Sequence, residues 1–132
     1  MVTQIGYLKR QPGVTREEFQ KWWIERHVPY VKQIPGLRRY VVHVSQKGFE
    51  VVEAAVVLDP LAGPTGNIHD DPEFEGIAEL WFDDEEAVAR AWSSQKGVED
   101  LAHFSKYIGQ AGVVIALPRI MIPGPQEPFP VG

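Results

Sequence analysis

The chain has 132 residues, enough for one domain with a sizeable core and too few for two. Charged residues make up 23% and hydrophobic residues 44%, which is typical of a soluble globular protein. The net charge of −5 argues against a nucleic-acid-binding protein, and the absence of cysteine excludes disulfides, thiol nucleophiles and zinc–thiolate or iron–sulfur sites. The first ten residues lack the long apolar core of a signal peptide, and no apolar run approaches the ~18 residues that span a bilayer, so we expect a cytoplasmic protein without a membrane partner.

A strand and a long amphipathic helix open the chain. Val2–Arg10 alternates loosely between apolar and polar residues and is followed by Gln-Pro-Gly, so we predict the first strand there. Thr15 and Glu18 have the spacing of a capping box, which marks the start of the helix. The helix must end at Pro35, because this proline and the glycine after it cannot continue it.

One face of this helix is aromatic and carries a single ionisable ring, His27. At 100° per residue the same arc holds Phe19, Trp22, Trp23 and Tyr30. Pro29 lies inside the helix and removes a backbone donor, so we expect a kink or a loosened turn immediately after His27. His27 is either a structural ring satisfied by one backbone carbonyl or an acid/base group in a hydrophobic pocket.

The middle of the chain holds a second strand and a segment that is harder to interpret. Residues 37–45 are rich in β-branched residues and are predicted as a strand. Period two then puts Tyr40 and His43 on opposite faces, so a regular strand should not bring both to one pocket. Residues 51–58 fit a strand or a short helix, and residues 60–72 are rich in Pro, Gly and Asp and are predicted as a loop.

The last third of the chain contains two strands and helical segments. We predict a third strand at Gly76–Phe82, then a helix capped by Asp83, with the apolar stripe Val88, Ala91 and Trp92. A second helical segment is expected over residues 98–108, with Leu101, Phe104 and Tyr107 on its apolar face. The last strand is expected over residues 113–122, with an edge or a bulge at Pro118, which cannot donate to a ladder.

The element order β-α-β-β-α-β predicts an α+β protein with the ferredoxin-like fold, built on an antiparallel four-stranded sheet. Both helices would lie on one face of this sheet and leave the other face bare. Because the alternating apolar residues of that face need covering, we expect a homodimer through sheet-to-sheet packing.

Four sets of residues carry a family resemblance: Lys9-Arg10 after the first strand, Trp23-x-x-x-His27-x-Pro29, Pro35-Gly36-Leu37-x-x-Tyr40, and the block from Gly76 to Asp84. Together they resemble the EthD-like family of dimeric α+β barrel proteins. The resemblance implies an EthD-like domain over residues 1–122, with an insertion or loop at about residues 50–75, and a proline-rich tail over residues 123–132. It also implies a cavity between sheet and helices in each subunit. The chain departs from the family pattern through this longer middle segment and at Pro118-Arg119, where a nearby glutamate is expected.

The residue types present define the candidate site. Candidate catalytic residues are His27, Tyr40, His43 and Glu79. A buried carboxylate must be paired or protonated, so Glu79 is first expected to form an ion pair with Arg38, Arg39 or Arg119; the alternative is a pocket acid that takes part in proton transfer. Candidate substrate-binding residues are Tyr7, Phe19, Trp23, Tyr30, Trp81, His103 and Tyr107. His69, in the acidic sequence His-Asp-Asp, is better explained as part of a solvated turn than as a metal ligand.

The sequence contains no phosphate-binding glycine loop, no nucleophile elbow and no His-Glu-x-x-His motif. The remaining groups, imidazole, phenol and carboxylate beside an apolar cavity, suit proton transfer on a small hydrophobic carbonyl or aromatic compound without a metal or a cofactor. EthD-like relatives include lactone isomerases, polyketide-tailoring dehydratases or decarboxylases, and companions of ether-degrading oxygenases. The resemblance therefore implies a lyase or isomerase that dehydrates, decarboxylates, cyclises or isomerises a polyketide-like metabolite.

Two other functions remain open at this point. The protein could be a non-catalytic carrier that delivers a hydrophobic metabolite to an oxygenase or another pathway enzyme. A weaker alternative is a haem-handling protein, which would need His27, His43 or His103 as the axial ligand.

Overall fold

The computed structural model describes residues 1–46, 48–49, 68–69, 74–97 and 104–124. The strands are β1 (Val2–Arg10), β2 (Arg39–Val44), β3 (Gly48–Phe49), β4 (Ile68–His69), β5 (Gly76–Phe82) and β6 (Ile108–Ala116). The α-helices are α1 (Arg16–Trp22), α2 (Val28–Val31), α3 (Glu85–Ser93) and α4 (Phe104–Tyr107), and a π-helical turn (Trp23–His27) joins α1 to α2.

Four strands form one antiparallel sheet in the order β2-β5-β1-β6. β1 lies between β5 and β6, and β2 pairs with β5 at the edge of the sheet, which is the ferredoxin-like arrangement. The predicted fold class is therefore confirmed, and β1 and β5 have the bounds expected from the sequence.

The first helix begins as predicted and loosens one turn earlier than expected. The Thr15 hydroxyl accepts a hydrogen bond from the Glu18 backbone N–H, and the Glu18 carboxylate accepts one from the Thr15 backbone N–H, which completes the capping box. The wide turn occupies Trp23–His27, where the Val28 N–H donates to the Trp23 carbonyl five residues back. Because Pro29 has no N–H, the α-helical bonding pattern is already lost in the turn that precedes it.

The core lies between the helices and one face of the sheet, in two adjoining clusters. The first contains Val2, Val31, Ile34, Leu80, Phe82, Ala87 and Ala91. The second contains Leu8, Phe19, Trp22, Trp23 and Ile108. Ala78 of β5 packs against both, so the two clusters are continuous across the sheet.

The end of the chain differs from the prediction. β6 begins at Ile108, inside the predicted helical segment, and it ends at Ala116, before Pro118. Arg10 pairs with Ile108 after a register shift, so pairing with β1 decides where the helix gives way to strand. Residues 98–103, the first part of the predicted helical segment, lie outside the described residues.

Two smaller predictions are also corrected. The helix α3 is capped by Asp84, which accepts a hydrogen bond from the Ala87 backbone at 2.7 Å, rather than by Asp83. The predicted loop over residues 60–72 contains Ile68–His69, which pairs with Gly48–Phe49 in a separate two-stranded sheet. The predictions for residues 51–58 fall outside the described residues. Within the described residues, no helix has the length and apolar character that a membrane span requires.

Candidate active site

The sheet divides the predicted site residues between its two faces. Tyr40 pairs with Leu80 of β5 and packs against the first core cluster, on the helix side. His43 and Glu79 lie on the opposite face, as the strand alternation predicted for Tyr40 and His43. Tyr7 and Trp81 share that face with them. The structure therefore does not bring together the four residues predicted to be catalytic.

His27 lies on the helix side and is buried, with 6% of its surface exposed. Its ring stacks on the Trp22 indole, with centroids 5.1 Å apart and planes inclined by 23°. Trp22 also stacks on Tyr107, with centroids 4.8 Å apart and planes inclined by 13°. The π-helical turn therefore places the His27 imidazole against the stacked rings of Trp22 and Tyr107.

Trp23 and Phe19 fill the space between this turn and the sheet. Both are fully buried, and their rings meet nearly edge-on at 5.8 Å. The six-membered ring of Trp23 lies directly on Gly76, the first residue of β5, where any side chain would collide with it. The Trp23 Nε1 is buried, and it has no hydrogen-bond partner within the described ranges.

Sequence reasoning missed a buried ion pair at this end of the sheet. Arg10 donates to Glu75 at 2.5 Å, and the Glu75 side chain is only 3% exposed. The chain bends at Glu75, immediately before β5, and the Glu75 backbone N–H donates to the Leu8 carbonyl. The available signal was a carboxylate placed directly before a predicted strand, together with the Lys9-Arg10 pair at the end of the first.

The opposite face carries a second charged pair. His43 Nε2 and Glu79 Oε2 lie 2.5 Å apart, and the two side chains are 56% and 28% exposed. The expected partner Arg38 instead makes two hydrogen bonds to Asp83, and the Arg39 guanidinium lies over the Trp81 ring. The prediction of an arginine partner for Glu79 is therefore wrong. The neighbouring strands β2 and β5 place His43 and Glu79 diagonally across one face, close enough to bond.

The remaining predicted residues are placed as follows. Tyr7 packs its ring on Phe74 at 5.0 Å and over Gly112, on the face opposite the helices. Tyr30 is half-buried in α2. His103 lies outside the described residues, and no group of three or more potential metal ligands occurs among those that are described.

One exposed pair shows a clear electrostatic effect. The hydrogen bonds from Arg38 hold the pKa of Asp83 below its usual value, and the same bonds raise the pKa of Arg38. This pair lies at the surface, beyond the end of β5, so it bears on stability rather than on the aromatic site.

A family model described as the EthD domain matches residues 11–106. The chain belongs to the EthD family. No curated protein matches it. Among solved structures, an EthD family protein from Bacillus halodurans is 21% identical, with a TM-score of 0.63 over 90% of this chain and 100% of that one.

Two further solved structures share the fold of this EthD family member. SnoaB from Streptomyces nogalater, a cofactor-independent oxygenase, is 13% identical, with a TM-score of 0.59 over 93% of this chain and 97% of that one. A dimeric protein with a ferredoxin-like fold from Bacteroides fragilis is 12% identical, with a TM-score of 0.56 over 86% and 92% of the two chains. These likenesses establish the fold of the chain and leave its reaction to be argued from the site.

Proposed function

We propose that this EthD family protein is a cofactor-independent lyase or isomerase, in which His27 moves a proton on a small hydrophobic carbonyl or aromatic compound. The observation that carries the proposal is the setting of His27, an imidazole with 6% exposure stacked on Trp22 inside a π-helical turn. Single π-helical turns within α-helices occur frequently at functional sites, which favours a functional role for this ring over a purely structural one.

The chemistry available to this site is acid–base catalysis. Imidazole takes up and returns protons near neutral pH, and a buried ring does so without competition from bulk water. Trp22, which stacks on His27 and on Tyr107, gives the imidazole an apolar aromatic environment that shields it from water. SnoaB, which shares the fold, is named a cofactor-independent oxygenase, and this supports chemistry that the side chains of such a fold perform on their own.

The test is proton exchange in heavy water. Purified protein is incubated with a panel of diketones and hydroxyaryl ketones, and loss of the activated C–H signals is followed by NMR. His27→Gln retains size and some hydrogen bonding but cannot shuttle a proton, so the exchange rate should fall by about 10²–10⁴-fold. Arg26→Gln, an exposed neighbour in the same turn, controls for damage to the helix.

Three results would contradict the proposal. A His27→Gln variant whose exchange rate lies within a few-fold of the parent's would show that His27 does not transfer the proton. A comparable loss in His43→Gln alone would move the site to the opposite face of the sheet. Panel compounds that bind without any catalysed exchange would instead identify the protein as a carrier.

We further propose that the protein functions as a homodimer through packing of the bare sheet faces. Val114 and Ile77 lie on that face with 59% and 43% of their surfaces exposed. Apolar exposure on one sheet face favours a self-complementary contact, and the fold is shared with a dimeric protein.

Sedimentation at micromolar concentration should give roughly twice 14.9 kDa. Val114→Glu should shift the protein to monomer because it buries a charge in the interface. Ile24→Glu, at another exposed apolar position, on the π-helical turn, should leave the dimer intact. A parent protein that sediments as a folded monomer would contradict this assembly.

A further inference from the structure

The hydrogen-bonded pair of His43 and Glu79 lies among apolar residues on the sheet face opposite the helices. Glu79 belongs to the inner strand β5, between Val41 of β2 and Ile5 of β1. His43 pairs with Ile77, which precedes Glu79 by two residues and so shares its face. The 2.5 Å contact between His43 Nε2 and Glu79 Oε2 makes the imidazole and the carboxylate one ionisable unit.

This pair is in contact with water in a single subunit. The exposed fraction is 56% for the His43 side chain and 28% for the Glu79 side chain. When two sheets pack face to face, they lie about 10 Å apart and the side chains of their inner faces interdigitate. The homodimer proposed above therefore removes both groups from water, once in each subunit.

We propose that the His43–Glu79 pair is a proton-binding site of the dimer interface, so that assembly requires one proton on each pair. A pair that holds one proton has no net charge, whichever of its two groups carries it. A pair that has lost this proton brings an uncompensated carboxylate charge into the interface, and burying such a charge is costly. The inference rests on the homodimer proposed above and states how that assembly responds to pH.

The sign of the response follows from proton linkage. Imidazole releases its proton between about pH 5 and 8. Below this range the separate subunit and the dimer both hold the proton, so a change in pH leaves their equilibrium unaltered. Above it, the separate subunit has released the proton and assembly must take it up again, so the dimer weakens as the pH rises. With two pairs in each dimer, one pH unit can raise the Kd for dimer dissociation by at most about 100-fold.

The other charged or titratable groups that face the pair keep their charge over the same range. Among the described side chains they are Tyr7 and Lys9 of β1 and Arg39 of β2. A twofold interface brings the same groups from the partner subunit. Phenol, ammonium and guanidinium groups all retain their protons up to about pH 9. A response between pH 6 and pH 8.5, roughly the range in which imidazole titrates, is therefore assigned to the pair.

Sedimentation of a dilution series gives the Kd for dimer dissociation at about pH 6 and about pH 8.5, on either side of the imidazole range, at one salt concentration. The Kd of the parent should be at least about tenfold larger at the higher pH. The double variant His43→Gln, Glu79→Gln puts two neutral amides in place of the pair, so its Kd should be the same at both pH values. His27→Gln, on the helix side of the sheet, is the matched control and should keep the response of the parent.

The single variant Glu79→Gln should reverse the response. It keeps the imidazole and removes the carboxylate, so a protonated His43 becomes the uncompensated charge in the interface. Its dimer should therefore tighten as the pH rises, whereas the parent dimer weakens. A substitution that only disturbed the packing would change the Kd equally at both pH values.

The outcomes separate this inference from the homodimer itself. A parent dimer whose Kd changes by less than about threefold, or falls as the pH rises, overturns the inference and leaves the homodimer standing. A double variant that keeps the response of the parent also overturns it, because another group then takes up the proton. A parent that sediments as a folded monomer at both pH values overturns the homodimer and the inference together. The comparison of the parent at two pH values needs no variant to fold.

Discussion

Gly76 lies where β2, β5 and the π-helical turn meet, and replacing it with alanine tests that packing directly. A Cβ atom at this position would lie well inside 3.0 Å of the His43 carbonyl oxygen and of two carbons of the Trp23 ring. The carbonyl belongs to the backbone of a paired strand, and the indole is fully buried. Neither neighbour can rotate away from the added methyl group.

The cost follows from this immobility. Inserting a methyl group into a packed core typically costs about 1–3 kcal/mol, and contacts with two rigid neighbours place Gly76→Ala at the upper end, at about 3 kcal/mol. For a chain of this length, each kcal/mol corresponds to a change in Tm of roughly 3–5 °C, so Tm should fall by roughly 10 °C.

Thermal unfolding followed by circular dichroism measures this change. Gly124→Ala is the matched control, because an added Cβ there meets nothing within 4 Å, and its Tm should equal that of the parent. A Gly76→Ala protein that melts within about 2 °C of the parent would show that Trp23 and β2 do not close on Gly76.

Two further predictions concern stability. Because Arg38 lowers the pKa of Asp83, the stabilisation from this pair is complete above the ordinary aspartate pKa and is lost as the pH falls through the lowered value in the folded state. Asp83→Asn should therefore lower Tm slightly at pH 7, and its difference from the parent should vanish in acid; a constant difference would contradict this linkage. Thr3 is 2% exposed and its hydroxyl has no partner among the residues described, so Thr3→Val should leave Tm unchanged or raise it, whereas a lower Tm would reveal a hydrogen bond at that hydroxyl.

Local signals account for the parts of the fold that were predicted well. The capping box at Thr15 and the alternation along Val2–Arg10 and Gly76–Phe82 depend on residues close together in the chain, so they can be recognised without the tertiary structure. The same is true of His27, whose position on an aromatic helical face follows from spacing alone. Its placement beside Trp22 was therefore accessible from the sequence.

Contacts between distant residues were decided only by tertiary structure. Arg10 and Glu75 are 65 positions apart, and no local pattern shows that a bend before β5 turns this carboxylate toward β1. The sequence likewise left the partner of Glu79 open between arginines, because a strand pattern defines its faces but does not identify which neighbour lies across the sheet. By itself, then, the sequence determined β1, β5, the start of the first helix and the aromatic setting of His27. The strand order and register decided which polar groups meet, since these depend on how the whole chain closes.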